Sequence, residues 1–209
     1  MIDLLNIYKS YDEKKIITDF SLHIDKNEFV CITGESGSGK TTLLNIIGLL
    51  DKPDQGSVSI NGINSYPQKE ILKLRRTFYG YIFQDYLLMK DKTVIKNLKV
   101  SEYGKNKLSK DHLNHVLSMV GLDKTYLNKK VCQLSGGEQQ KLAIARMMLK
   151  PYELVLADEP TGNLDYKNKL EIINLFKQIK AEGKTIICVT HDKIVADAAD
   201  RIINLTKEK

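Results

Sequence analysis

The chain has 209 residues, 42% of them apolar, with a formal net charge of +6. That suits one domain with a real core. No apolar run approaches the roughly 18 to 20 residues of a membrane-crossing helix, the start MIDLLNIYKSYDEKK lacks the features of a signal peptide, and Cys31, Cys132 and Cys188 are too dispersed for a zinc site or a disulfide framework.

Residues 2–9 (IDLLNIYK) and 16–25 (IITDFSLHID) read as strands. Lys26-Asn27 reads as a turn, because Asn tolerates a left-handed backbone. Residues 28–33 (EFVCIT) form a short apolar run suited to a strand buried on both faces, with Cys31 as a buried thiol. Gly34-Glu35-Ser36-Gly37-Ser38-Gly39-Lys40-Thr41 then fits G-x-x-x-x-G-K-[ST], and a helix is predicted from about Lys40 to Leu50. Gly37 and Gly39 let successive N–H groups converge on phosphate oxygens, and the helix adds its positive end. Lys40 is placed to reach the β- and γ-phosphates, the Thr41 hydroxyl to ligate Mg²⁺, and Thr42 to hold the α-phosphate. GSVSING (56–62) is a further strand ending in a glycine turn, and the strand-like YGYIFQ ends on Gln84.

From about 85 to 150 the pattern is helical, with periodic segments at 92–100, 109–120 and 138–149. This reads as a helical subdomain inserted into an α/β core. The basic stretch from Lys90 to Lys110 contains interspersed acids and no aromatic-interleaved stripe, as in a solvated face. Ser135 and Glu138 match the S-x-x-E capping box. Gly136 and Gly137 lie in the first turn, where each glycine costs about 1 kcal/mol against alanine. A capped, glycine-lined helix start is an anion site.

ELVLAD (153–158) is an apolar strand that delivers Asp158 and Glu159 at its end. Buried carboxylates there call for a cation: Asp158 is placed to hold Mg²⁺ through a water, and Glu159 to polarise an attacking water. A helix over 166–182, the strand KTIICVT (184–190), which holds Cys188 as another buried thiol, His191, a short helix and the strand RIINLT (201–206) complete the chain. Strand–helix alternation predicts an α/β fold with a largely parallel sheet, whose ligands bind at the carboxyl ends of its strands. A neutral amide at Gln84 near Mg²⁺ and a histidine near the γ-phosphate both suit phosphoryl transfer.

Taken in order, these motifs resemble the ATPase subunit of ABC transporters over essentially the whole chain, residues 1–209. Tyr11 matches the aromatic residue that stacks on adenine. Gly34 to Thr42, including Ser36 and Ser38, match the phosphate motif, Gln84 the glutamine loop, and Leu134 to Gln139 the family signature. Leu154 to Glu159 match the acidic motif, Asn163-Leu164-Asp165 the aspartate loop, and His191 the switch histidine. The resemblance implies a P-loop NTPase core with an antiparallel β subdomain and a helical subdomain. It also implies ATP and Mg²⁺ as ligands, and a homodimer in which Ser135, Gly136 and Gly137 of one copy meet the γ-phosphate held by the other. SGSGKTTLLNIIGLLDKPDQG and LADEPTGNLD are similar to the exporter branch for macrolides, lipoproteins, antimicrobial peptides and bacteriocins. That branch implies a separate membrane permease, an ATPase at the cytoplasmic face of the membrane, and no nucleic-acid partner. The alternative is a soluble relative acting on nucleic acid or ribosomes, which usually carries tandem ATPase domains or coiled-coil insertions. Glu35, Asn27 and Lys141 depart from the branch pattern, where proline, glycine and arginine are common. The chain stops soon after its last predicted strand, so no C-terminal regulatory domain is expected.

Overall fold

A computed structural model describes residues 1–102 and 108–206; part of the Lys90–Lys110 stretch and the last three residues lie outside the described residues. Among the described residues, eight strands form two sheets. β1 (Ile2–Tyr11), β2 (Lys14–Ile24) and β4 (Gln55–Ile60) form an antiparallel sheet in the order β2-β1-β4. β3 (Phe29–Thr33), β5 (Tyr79–Ile82), β6 (Leu154–Asp158), β7 (Thr185–Val189) and β8 (Arg201–Asn204) form a parallel sheet in the order β5-β6-β7-β3-β8. The helices are α1 (Lys40–Ile47), α2 (Gln68–Thr77), α3 (Val94–Leu98), α4 (Lys110–Met119), α5 (Gly136–Met148), α6 (Tyr166–Ala181) and α7 (Lys193–Ala196).

Strands β3, β6 and β7 are apolar at nearly every position because both sheet faces are covered. Phe29, Val155, Ala157, Ile186 and Cys188 face one core, shared with α5 and α6 through Leu142, Ile172 and Phe176. Val30, Ile32, Leu154, Leu156, Ile187 and Val189 face the other, shared with Leu43, Ile46 and Ile47 of α1 and with Ile2, Leu4 and Ile7 of β1. Each Val, Leu, Ile or Phe among them contributes about 1.5–3 kcal/mol on full burial. β3 lies between β7 and β8, and its entry is fastened by Asn27 N–H to Thr185 Oγ1 (2.8 Å) and Phe29 N–H to Asp200 Oδ2 (2.7 Å). Ile32, Val189 and Asp158 stand level across three strands, so the segments that follow them leave from one edge.

Asn27 takes the left-handed turn expected of it (φ 60°), and Cys31 and Cys188 are buried partners across β3 and β7. Three local differences have physical causes. Helix α1 stops at Ile47 rather than Leu50, because Leu49 turns left-handed (φ 55°) and the Leu50 N–H folds back to the Asn45 carbonyl (2.8 Å). Helix α5 starts at Gly136, two residues before the apolar periodicity, because its cap makes Gly136 the first helical residue. Helix α2 escapes a periodicity reading because it buries no residue fully; Ile71 and Leu74 are only half-buried.

Candidate active site

The phosphate loop joins buried β3 to α1. Gly37 and Gly39 are left-handed (φ 73° and 94°). A Cβ on Gly39 would come within 2.8 Å of Ile16 Cγ2, and one on Gly34 within 2.4 Å of the Leu205 carbonyl oxygen, so neighbouring segments buttress the loop from both sides. Lys40 Nζ donates to the carbonyls of Gly34 (2.9 Å) and Glu35 (2.8 Å), which holds the ammonium inside the loop. Ser36 and Gly37 are exposed. Ser38 is buried, and its Oγ has no hydrogen-bond partner among the described residues. A buried orphan hydroxyl, a lysine and a left-handed glycine run suit an anionic ligand.

Tyr11 ends β1, half-exposed, and its hydroxyl donates to Asp51 Oδ2. That hydrogen bond raises the phenol's pKa, and the Thr42 hydroxyl lies against the same phenol. An aromatic face from the antiparallel sheet is thereby set beside the first turn of α1.

Asp158 closes β6 and is buried. Burial pushes its carboxyl up; the hydrogen bond from Thr41 Oγ1 (3.2 Å) opposes this, and the neighbouring Glu159 adds to the rise. Glu159 has a left-handed backbone (φ 44°), and its N–H donates to the Val189 carbonyl (2.9 Å). Its Oε2 accepts from Thr190 Oγ1 (2.9 Å) and from the His191 N–H (3.4 Å), and its Oε1 lies 2.9 Å from His191 Nδ1. The His191 side chain is 71% exposed and the Glu159 side chain 14%. A non-glycine residue at positive φ costs about 1–3 kcal/mol, and such strain concentrates at functional sites.

Thr190 is a site residue that the sequence did not flag. It is buried, steadies Glu159 and accepts from the Asp192 N–H (3.0 Å). Its one visible signal is its place at a strand end just before His191. Asp192 in turn pairs with Lys169 of α6 (2.6 Å).

Gln84 is exposed two residues beyond β5. The last residue of β5, Ile82, pairs with Ala157 of β6, so Gln84 follows the strand that neighbours the one delivering Asp158. Its side chain makes no hydrogen bond among the described residues.

The capping box at the start of α5 is formed. Ser135 Oγ accepts from the Glu138 N–H (3.3 Å), and Glu138 Oε2 accepts from the Ser135 N–H (2.7 Å). The two glycines differ. A Cβ on Gly137 would come within 2.5 Å of Asn168 Oδ1, so a side chain there would push the Asn168 amide of α6 aside. A Cβ on Gly136 would meet nothing within 4 Å. Asp165 caps α6, accepting from Asn168 N–H and Nδ2 (2.8 Å each), while Lys141 pairs with Glu171 and ties α5 to α6. Among the described residues, no hydrogen bond joins Ser135, Gly136, Gly137 or Asp165 to the phosphate loop or the acid pair.

Mg²⁺ fits the hydroxyl–carboxylate pair of Thr41 and Asp158, which offers hard oxygen donors only. Among the described residues no group of three or more His, Cys, Asp or Glu could hold a metal. A partial donor set is what Mg²⁺ uses when phosphate oxygens complete its shell.

A glycine loop between strand and helix, with an acid pair closing a strand two places away in the same parallel sheet, is the arrangement of phosphate-loop nucleoside triphosphatases. Residues 17–162 match the ABC transporter family profile, and the chain belongs to that family as its ATPase cassette. The macrolide export ATP-binding/permease protein MacB of Shewanella sp. (strain W3-18-1) is 40% identical over 98% of this chain and 33% of its own length. MacB of Chlorobium phaeobacteroides (strain DSM 266 / SMG 266 / 2430) is 40% identical over 97% of this chain and 32% of its own. The chain therefore spans about a third of the length of the curated relatives it matches. The dimeric structure of MJ0796, a bacterial ABC transporter cassette, superposes with a TM-score of 0.88 at 39% identity, covering 99% of this chain and 94% of that one. The same cassette in a dimeric post-hydrolysis state bound to ADP and Pi superposes with a TM-score of 0.88 at 37% identity, covering 100% and 97%. Among the described residues no helix is long and apolar enough to cross a membrane.

Proposed function

We propose that two copies of this chain close head to tail around two Mg-ATP molecules and drive a membrane permease that exports a peptide, antibiotic or lipoprotein-type substrate from the cytoplasmic side. The observation that carries this reading is the start of α5. It is capped and exposed at Gly136, a Cβ there would meet nothing within 4 Å among the described residues, and among those residues no hydrogen bond joins it to the phosphate loop. A second copy supplies the missing anion, as the dimeric relative cassettes suggest.

In this reading Lys40 exchanges the Gly34 and Glu35 carbonyls for β- and γ-phosphate oxygens, and Gly34, Ser36, Gly37, Ser38 and Gly39 line the cradle. Tyr11 stacks on adenine and Thr42 meets the α-phosphate. Thr41, Asp158 and Gln84 would hold Mg²⁺, which when bound neutralises charge on the phosphate oxygens. Glu159, steadied by Thr190 and His191, accepts a hydrogen bond from the attacking water. Ser135, Gly136, Gly137 and Asp165 act on the partner's nucleotide. The limb from Gln84 through Tyr86, Leu87 and Leu88 transmits motion to the permease.

Glu159→Gln tests the whole scheme. The variant should bind ATP, lose turnover and accumulate as an ATP-dependent dimer in light scattering. Wild-type turnover by that variant would remove Glu159 from its role.

A further inference from the structure

Two successive residues beyond Gln84, Tyr86 and Leu87, both have left-handed backbones (φ 58° and 47°). Neither is glycine, asparagine or aspartate, and each such residue costs about 1–2 kcal/mol. Leu87 is 57% exposed, so packing of its own side chain does not explain the conformation. The local hydrogen bonds are Tyr86 N–H to the Phe83 carbonyl (3.0 Å) and Leu87 N–H to the Asp85 carbonyl (2.6 Å). A distant group supplies the rest. Arg146, three turns into α5, sends Nη1 to the Leu87 carbonyl (2.6 Å) and Nη2 to the Tyr86 carbonyl (2.8 Å). The planar fork of arginine suits two carbonyls at once, and lysine does not reproduce it. The far end of the limb is held too. Buried Asn97 accepts from the Met89 N–H (2.8 Å) and donates to the Met89 carbonyl (3.1 Å).

We propose that Arg146 is a positioning residue that holds the Tyr86–Leu87 turn in its strained conformation, and so fixes the limb carrying Gln84 and Leu87 to α5, the helix capped by Ser135. The limb and the signature helix then move as one piece. The activity consequence rests on the ATPase reading above; the conformational one does not.

The test uses the full chain with Arg146→Lys, Leu87→Gly and the double variant, read by amide exchange and by ATP turnover. Arg146→Lys should speed exchange at residues 86–89 about tenfold or more without changing exchange in α1. It should lower kcat several-fold with KM for ATP within about twofold. Glycine adopts the left-handed conformation without the Cβ penalty, so Leu87→Gly should recover at least half of both losses in the Arg146→Lys background. Additive effects in the double variant, or unchanged exchange in Arg146→Lys, would overturn the proposal. If Arg146→Lys does not fold, Leu87→Val decides. A β-branched residue resists positive φ, so it should speed exchange at 86–89 with Arg146 intact, and unchanged exchange refutes the strain. A wild-type chain that hydrolyses no ATP would remove the ATPase reading, while the exchange arm still decides the role of Arg146.

Discussion

The two adjacent glycines at the start of α5 should respond differently to the same substitution. Gly136→Ala places a methyl where nothing lies within 4 Å. Alanine also has less conformational entropy to lose, so the isolated chain should gain about 0.5–1 kcal/mol. For a chain of this length that raises Tm by about 1–4 °C. Gly137→Ala drives its methyl to 2.5 Å from Asn168 Oδ1 and 2.7 Å from Asn168 Cγ. The Asn168 amide must swing aside and give up its hydrogen bond to Asp165 Oδ2 (2.8 Å), a loss of about 0.5–1.5 kcal/mol that offsets the helix gain, so Tm should not rise. Function should not follow stability. In a Glu159→Gln background, ATP-driven dimerisation followed by light scattering should weaken about tenfold or more for Gly136→Ala, although the protomer is more stable. Gly136→Ala dimers that form as before would refute the assignment of that bare backbone to the partner's nucleotide. A fall in Tm for Gly136→Ala would refute the open space itself.

Lys40→Ala should weaken nucleotide binding about a hundredfold in a fluorescent-ATP titration, and unchanged affinity would overturn the phosphate-loop assignment. Tyr11→Ala should lower ATP affinity several-fold with kcat nearly unchanged, because stacking binds ground and transition states alike; a kcat effect alone would contradict that role. Burial pushes Lys150 down to about 8, with the Arg146 charge adding to the fall. Between about pH 8 and the ordinary lysine value near 10.4 the unfolded chain holds a proton that the folded chain lacks, so this group's contribution to stability rises with pH across that window. Below pH 8 its full penalty, at most about 3 kcal/mol, is present. Lys150→Met should therefore raise Tm at pH 7 and lose most of that advantage by pH 10; equal gains at both would show that the charge is irrelevant.

The parts of this molecule that could be read from the sequence are those where one chemistry dominates. The phosphate loop, the acid pair and the capping box each require particular side chains at fixed spacing, and they lie where that spacing puts them. Strands β3, β6 and β7 announced their two-sided burial by being apolar at nearly every position. What stayed hidden depends on partners distant in sequence. Thr190 looks like any strand-end threonine until Glu159 folds back to it, and Asn168 explains Gly137 only once α6 lies against α5. Arg146 reads as one more polar residue on a helix until Tyr86 and Leu87 arrive beneath it. Helix α2 left a weaker trace, with Pro67 before its start, Glu70 in its first turn and Arg75 and Arg76 in its last. Those are helix-end signals accompanied only by a short apolar stripe, Ile71 and Leu74, that is half-buried.

The placing of β3 between β7 and β8 bears on how the molecule is made. The strand leading into the phosphate loop is synthesised early, but both of its neighbours come from the final quarter of the chain, residues 185–204. At ribosomal speeds of roughly 5–20 residues per second, a nascent chain carries that loop for on the order of ten to thirty seconds before its flanking strands emerge. A product truncated before residue 185 thus contains the phosphate-loop sequence but neither strand that flanks β3.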